Sequence, residues 1–169
     1  MSSRKVVISQ CGSYSKKMFC QKEKGIFSLL KMIKNTSLEL TIVTSEKEIS
    51  LKNKNKNIST VSFQNYNDSI IKFYDEHAIL ILPSYTEAHP QVLDEALARR
   101  RPVIIFKEIS HVIRDRKGIF ISERNIESLK KTIDYIANNY IKIINNIEKN
   151  TLPTKVNFIN ELKNIILRN

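Results

Sequence analysis

The stretch from Ile79 to Phe106 constrains the fold more than any other part of the chain. It reads ILILPSYTEAHPQVLDEALARRRPVIIF, with one continuous apolar run at its start and another from Val103. Between these runs, Pro90 opens a segment whose apolar residues recur at helical spacing, and Pro102 ends that segment. A strand, a crossover helix and a second strand of this length predict a βαβ unit with parallel strands and a right-handed crossover.

Short apolar, β-branched segments recur along the rest of the chain and alternate with helical patterns. Strands are predicted near residues 5, 39, 59, 79, 103 and 119. Besides the helix after Pro90, helices are predicted over Gly25 to Lys34, Ser69 to Glu76, Asn125 to Asn146 and Lys155 to Leu167. The alternation predicts an α/β fold, a Rossmann-like doubly wound parallel sheet of about six strands in the order 3-2-1-4-5-6, as a single domain.

Two glutamates follow the strand that opens the central stretch. Glu87 is in the loop after that strand, and Glu95 is eight positions later, within the predicted helix. Ligands of open α/β sheets bind at the carboxyl ends of the strands, so the two carboxylates can face a ligand from two depths. The alternative is that both are ordinary solvated side chains of a loop and a helix surface.

The central stretch resembles the C-terminal half of the retaining glycosyltransferases of family 4, the group 1 glycosyl transferases with the type B fold. Their signature is P-S-x-x-E-G-x-P-x-x-x-x-E-A-x-A-x-G-x-P-V. The residues that match it in register are Pro83, Ser84, Glu87, Pro90, Glu95, Ala96, Ala98, Pro102 and Val103. Two positions that are usually glycine in the family hold Ala88 and Arg100, and Arg100 needs room at a helix end.

The resemblance implies that the substrate is a nucleotide diphospho-sugar, which acts as the sugar donor. Glu95 would accept hydrogen bonds from the ribose hydroxyls, and Glu87, a candidate catalytic residue, would contact the donor sugar near the reacting carbon. The diphosphate would bind backbone amides around Pro90, at a helix N-terminus; these belong to His89, Gln91 and Val92. No cofactor and no metal ion are expected, because the resemblance needs none and no residues have metal-ligand spacing.

The first predicted strand and its loop resemble the family's opening motif, V-G-R-x-x-x-x-K-G, whose arginine and lysine hold the diphosphate. Lys24 and Gly25 match the K-G pair, which makes Lys24 the second candidate catalytic residue. Gly12 and Ser13 are also predicted to bind substrate, although Ser13 stands where the arginine is expected and the loop is longer than usual. The cations that can replace that arginine are Lys16, Lys17 and Lys22, but a lysine lacks the bidentate fork of an arginine.

Two other segments contain candidates for the site. In the family the loop after the third strand lies against the nucleotide base, which makes Phe63 and Tyr66 candidates to touch it; a core phenylalanine and a surface tyrosine are the alternative. The segment from Lys107 to Lys117 takes the place of the family's G-G-x-x-E connection and has neither glycine. His111, within it, can reach the site.

Composition limits the partners and the compartment. A net charge of +11 can indicate nucleic acid or an anionic membrane. However, abundant Lys, Asn and Ile together are typical of an AT-rich coding sequence, and no RNA-binding or zinc-finger motif is present. We therefore expect no nucleic-acid partner and leave peripheral membrane association open. Two cysteines, Cys11 and Cys20, that form no CxxC pair, and the lack of a signal-peptide pattern predict a cytoplasmic protein, with the inner face of the membrane included; a disulfide between the two is the alternative.

The length of 169 residues suits one domain, whereas a complete family member has two domains that face each other across a cleft. We therefore expect residues 1–169 to be the donor-binding domain, with the N-terminal acceptor domain absent and residues 154–168 forming a helix that crosses back onto it. The predicted function is the donor-binding and catalytic half of a retaining glycosyltransferase, inactive by itself, whose acceptor is a glycan or a lipid-linked glycan. The alternative is a non-catalytic or degenerate domain that binds a nucleotide sugar or another protein.

Overall fold

The computed structural model describes residues 6–8, 25–44, 58–62, 70–152 and 154–166. The strands within these ranges are β1 (Val6–Ile8), β2 (Leu40–Thr44), β3 (Ile58–Ser62), β4 (Ile79–Leu82), β5 (Val103–Phe106) and β6 (Ile119–Ser122). The helices are α1 (Ile26–Ile33), α2 (Ile70–Asp75), α3 (Gln91–Ala98), α4 (Ile126–Asn138), α5 (Tyr140–Ile147) and α6 (Lys155–Ile166). A 3-10 helix, Lys107–Ile113, follows β5.

The strands form one parallel sheet in the order β3-β2-β1-β4-β5-β6, which confirms the predicted order. Successive strands are added on one side of β1 up to β3, and the chain then crosses to β4 on the other side. Such a switch point opens a crevice between the loops that leave the two central strands, and ligands of this fold class bind there. Ile8, the last residue of β1, is in register with Ile81 of β4.

The core lies on both sides of β4 and β5, whose residues are all buried. Helix α3 packs on β4 and β5, and α4 packs on β6. Leu93 and Leu97 of α3 and Leu129 of α4 are almost completely shielded from water. Burial of each such side chain contributes roughly 1.5–3 kcal/mol. This packing fixes β4, α3 and β5 relative to one another, and these three elements make up the central stretch. No helix in the described part of the chain is long and apolar enough to cross a membrane.

The helix predicted from Asn125 to Asn146 is wrong in one respect, because the structure divides it into α4 and α5. The break is at Asn139, whose backbone leaves the helical region (φ −114°, ψ 17°). The Asn139 side-chain amide donates to the carbonyl of Tyr135 at 2.9 Å. Asparagine side chains offer the backbone such local alternatives to a continuous helix, and the apolar spacing of the segment does not reveal them.

The segment from Lys107 to Lys117 is more ordered than its charged composition suggests. Ile109 and Val112, three positions apart, are both buried beside the core. The 3-10 segment is kinked at Ile109 (φ −112°, ψ 24°), and the burial of these two apolar side chains explains why it turns back onto the sheet.

Arg100 ends α3 in a left-handed conformation, with φ 56°. Its N–H donates to the carbonyl of Leu97, and the next N–H, from Arg101, donates to Ala96. This pair of bonds is the Schellman ending, in which the left-handed position is usually glycine. The glycine expected at this position of the family pattern therefore corresponds to a real backbone requirement, which Arg100 meets with some strain.

Candidate functional site

The loop after β4 is folded tightly onto the carboxyl end of that strand. Ser84 is completely buried, and its hydroxyl donates to Glu87 Oε1 at 2.6 Å. Hydrogen bonds to a carboxylate are shorter and stronger than neutral ones. The half-buried Glu87 carboxylate is therefore held beside the end of β4 rather than extended into solvent.

The backbone of Glu87 is held from the neighbouring strand. His111 Nε2 lies 2.7 Å from the carbonyl oxygen of Glu87, so the imidazole N–H donates to that carbonyl. His111 belongs to the 3-10 helix after β5. His111 therefore lies beside the candidate site, and its ring contacts the backbone of the loop.

Helix α3 begins at Gln91, directly after the buried Pro90. Within the described residues, no side chain caps this helix start. The first N–H groups of an α-helix have no acceptor inside the helix, and they lie at the positive end of the helix dipole. The amides of Gln91 and Val92 thus offer an anion site of the kind predicted.

The side chain of His89, just before this helix, points back onto the helix. Its Nε2 is 3.2 Å from Asp94 Oδ2, and Asp94 also forms an ion pair with the buried Arg116. Asp94 therefore holds the imidazole of His89 against the helix. The predicted role of His89, binding of the diphosphate, then depends on its backbone amide.

Glu95 lies on the second turn of α3 and is exposed. The hydroxyl of Tyr74, at the end of α2, donates to Glu95 Oε2 at 2.8 Å. Tyr74 is 3% exposed, and its hydroxyl orients the carboxylate from inside the protein. A carboxylate has about four acceptor positions, so this bond is compatible with further bonds to ribose hydroxyls. Sequence reasoning missed Tyr74, because a tyrosine on a short helix carries no motif.

Gly25 brings the loop before α1 against the end of β4. Its φ is 76°, and a Cβ added to it would lie 1.7 Å from the carbonyl oxygen of Pro83. Only a glycine permits this approach, because the nearest atom belongs to the backbone. Gly25 of the K-G pair is therefore a neighbour in space of Pro83 of the P-S pair. Six predicted residues, Gly12, Ser13, Lys16, Lys17, Lys22 and Lys24, lie outside the described residues, as do Phe63 and Tyr66.

Arg124, which follows β6, is a further residue of the site that sequence reasoning missed. Its guanidinium donates to the carbonyls of Pro83 and Ser84 at 3.0 and 3.1 Å, and to Glu108 Oε1 at 2.8 Å. The hydrogen bond from Arg124 is the main reason that the pKa of the Glu108 carboxyl is lowered. A lone arginine after a strand gives no sequence signal for contacts that span about forty positions.

A pocket of about 320 Å³ adjoins the Arg124 guanidinium. It is lined by Lys107, Glu108, Glu123 and Arg124, at the carboxyl ends of β5 and β6. With β4 and α3, these residues extend the polar surface along one edge of the sheet. That edge combines carboxylates, cations and helix amides, which are the groups needed to bind a sugar and a phosphate.

Comparisons with known proteins identify relatives among the glycosyltransferases. The family model of glycosyl transferases group 1 matches residues 20–162. A protein of Haemophilus influenzae, described as an uncharacterized glycosyltransferase, is 32% identical over 108 residues, which cover 59% of this chain and 31% of that protein.

Two solved structures share the fold. The structure of WaaG, described as a glycosyltransferase involved in lipopolysaccharide biosynthesis, has a TM-score of 0.63 at 16% identity and is matched over 87% of this chain and 42% of its own. Alr3699/HepE of Anabaena, in complex with UDP and glucose, has a TM-score of 0.61 at 14% identity, over 88% of this chain and 42% of its own. The predicted fold class is therefore confirmed. This chain spans less than half the length of each of these proteins.

Proposed function

We propose, since this chain belongs to the glycosyl transferases group 1 family, that it is the donor-binding and catalytic half of a retaining, family 4 glycosyltransferase. The complete protein would move a sugar from a nucleotide diphospho-sugar to an acceptor. Residues 1–169 would be the C-terminal domain, and α6 the helix that crosses back onto an N-terminal acceptor domain. The partial coverage of the relatives supports this division.

One observation carries the proposal: the pieces of the family pattern meet at a single edge of the sheet. Gly25 lies against Pro83, and Ser84 holds Glu87 beside the end of β4. The uncapped start of α3 follows in the same loop, and Glu95 is one turn further along. The loop before α1 and the stretch from Pro83 to Glu95 are distant in the sequence, and they meet at the carboxyl edge of the sheet, where ligands of open α/β folds bind.

The diphosphate would bind between the loop before α1 and the start of α3. Lys24 directly precedes Gly25 in the chain and supplies a cation, and Gly12 and Ser13 come earlier in the sequence between β1 and α1. The amides of His89, Gln91 and Val92 supply hydrogen-bond donors at a helix N-terminus. A lysine ammonium and helix amides would thus both stabilise the negative charge that develops on the departing phosphate.

In the reaction, the bond between the anomeric carbon and the diphosphate oxygen breaks, and its electron pair stays on that oxygen. Lys24 and the helix amides stabilise the resulting charge. The acceptor hydroxyl forms the new bond on the same face of the sugar, and its proton passes to the departing phosphate oxygen. Glu87 binds the donor sugar near the reacting carbon, and Glu95 holds the ribose. No metal ion or cofactor takes part in this proposal; the nucleotide sugar is a substrate.

The proposed acceptor is a glycan or a lipid-linked glycan, bound through the N-terminal domain. The lipopolysaccharide role given for WaaG supports this choice. A net charge of +11 supports attraction to anionic lipid headgroups. We therefore place the protein in the cytoplasm, with peripheral association with the inner face of the membrane, and propose no nucleic-acid partner.

A second candidate function is a degenerate domain that binds a nucleotide sugar without transferring it. Arg100 stands at a position that needs a left-handed backbone, and a 3-10 helix with His111 replaces the glycine-rich connection. These departures from the family pattern favour this candidate. Nucleotide-sugar binding without any transfer by the full-length protein would distinguish it.

The proposal is tested by Glu95→Ala. A thermal-shift screen with UDP, GDP, ADP and their sugars first identifies the nucleotide, and calorimetry then measures its affinity. Loss of charge-assisted bonds to the ribose should cost roughly 2–3 kcal/mol of binding free energy, with little change in melting temperature. Glu127→Ala, which removes an exposed glutamate from the first turn of α4, is the control and should bind as the wild type does. Unchanged affinity in Glu95→Ala would reduce Glu95 to a helix surface residue.

A further inference from the structure

We infer that Arg124 is a positioning residue for the donor site: it holds the loop that presents Glu87 to the sugar. This inference rests on the proposed function, since it concerns the same site. Arg124 does not belong to the central stretch or to the loop before α1. It comes from the far edge of the sheet, after β6, and reaches past β5 to the end of β4.

The first step concerns two backbone carbonyls that no strand pairing satisfies among the residues the structure describes. The ladder between β4 and β5 ends with the pair of Leu82 and Ile105. Pro83 and Ser84 come after that pair, and both are buried. A buried carbonyl without a donor is costly. Arg124 supplies a donor to each, from Nη1 at 3.0 Å and from Nη2 at 3.1 Å; a planar guanidinium fits two such acceptors, whereas an ammonium does not.

The second step is that the guanidinium is itself held in place from other sides. It lies 3.9 Å from the ring centre of Tyr85 and 4.3 Å from that of Phe106. Its Nε donates to Glu108, and the side chain is only 13% exposed. Phe106 and Glu108 belong to β5 and the 3-10 helix after it. Arg124 thus connects the end of β5 to the loop after β4 and fixes that loop relative to the strand.

The third step connects Arg124 with Glu87 through a single residue. The carbonyl of Ser84 accepts from Arg124, and the hydroxyl of the same residue donates to the Glu87 carboxylate at 2.6 Å. Any shift of Ser84 therefore moves the carboxylate that is proposed to contact the sugar. A displacement of about 1 Å is enough to cost a large factor in a positioned interaction.

The test uses Arg124→Gln and Arg124→Lys and compares two affinities, that of a nucleoside diphosphate and that of its sugar derivative. UDP with UDP-glucose is the first probe pair; GDP with GDP-mannose and ADP with ADP-glucose follow. Arg124→Gln should weaken binding of the nucleotide sugar about tenfold and binding of the diphosphate less than about threefold, because Glu87 contacts only the sugar. Arg124→Lys should recover only part of the loss, since it keeps the charge but loses the fork.

Arg99→Gln is the matched control. It removes another arginine that forms a paired contact, with Asp75 at 2.5 Å, at the opposite end of α3. Both affinities should stay at the wild-type values. A merely structural role for Arg124 would lower the melting temperature and leave the ratio of the two affinities unchanged, and this outcome would overturn the inference while leaving the proposed function intact.

Amide hydrogen exchange provides a readout that needs no ligand. Arg124→Gln should accelerate exchange in residues 84–88 relative to the wild type, and Arg99→Gln should not. If the wild-type protein binds none of the probes, the proposed function fails, and exchange alone then decides whether Arg124 holds the loop. Unchanged exchange in residues 84–88 would overturn the inference.

Discussion

At the scale of single residues, Gly25 illustrates why sequence reasoning finds a residue without finding its reason. The K-G pair marked Gly25 through the family pattern alone. The structure supplies two physical causes, a left-handed backbone and a contact with the carbonyl of Pro83 that leaves no room for a Cβ. The second cause depends on Pro83, a residue far away in the sequence, which no local pattern can reveal.

The same residue gives a prediction. Gly25→Ala should destabilise the protein by more than the roughly 1–2 kcal/mol of left-handed strain, because the backbone it meets cannot move aside. Gly118→Ala is the control: its φ is 88°, but the added Cβ would meet the side chain of Ile147 at 2.2 Å, and a side chain can shift. Thermal melts should show both variants destabilised. Calorimetry on the folded variants should show a loss of affinity for a nucleoside diphosphate in Gly25→Ala and none in Gly118→Ala. If Gly25→Ala binds the diphosphate as tightly as the wild type does, the contact with Pro83 does not shape the site.

At the scale of the elements, the apolar patterns predicted the strands, their order and most helices because burial determines those features. What they missed depends on single polar side chains. Asn139 breaks a helix by bonding to Tyr135, and Arg124 joins the ends of β4 and β6 across β5. Tyr74 orients Glu95 from a neighbouring helix. The candidate residues could therefore be assigned to the carboxyl ends of the strands from the sequence, but the residues that hold their side chains could not be identified.

The ending of α3 provides a test at this scale. Arg100→Gly should raise stability by about 1 kcal/mol through relief of left-handed strain, reduced by the loss of an exposed ion pair with Glu148 worth about 0.2–1 kcal/mol. For a chain of this size each kcal/mol shifts the melting temperature by about 2–4 °C. Arg100→Ala is the control, since it loses the same ion pair and keeps the strain. If the two variants melt at the same temperature, the left-handed backbone at this position carries no cost.

At the scale of the whole molecule, the proposed function makes this chain one wall of a cleft. Helix α6 exposes Val156 and Ile159, 64% and 38% accessible, and these side chains suit the proposed contact with an acceptor domain. The proposed site needs that domain for the acceptor but not for the donor. The isolated chain should therefore bind a nucleotide sugar and transfer nothing.

The central claim, that this edge of the sheet binds a nucleotide diphosphate, is tested most directly by calorimetric titration of the isolated chain. UDP, GDP and ADP are each compared with the corresponding nucleoside, at low and at physiological salt. We expect at least one diphosphate to bind more tightly than its nucleoside, with an affinity that falls as salt rises, because partly exposed charges are screened over about 8 Å at physiological ionic strength. Lys24→Ala should remove roughly 1.5–3 kcal/mol of that affinity. Equal binding of nucleoside and diphosphate, or no binding of either, would contradict the account.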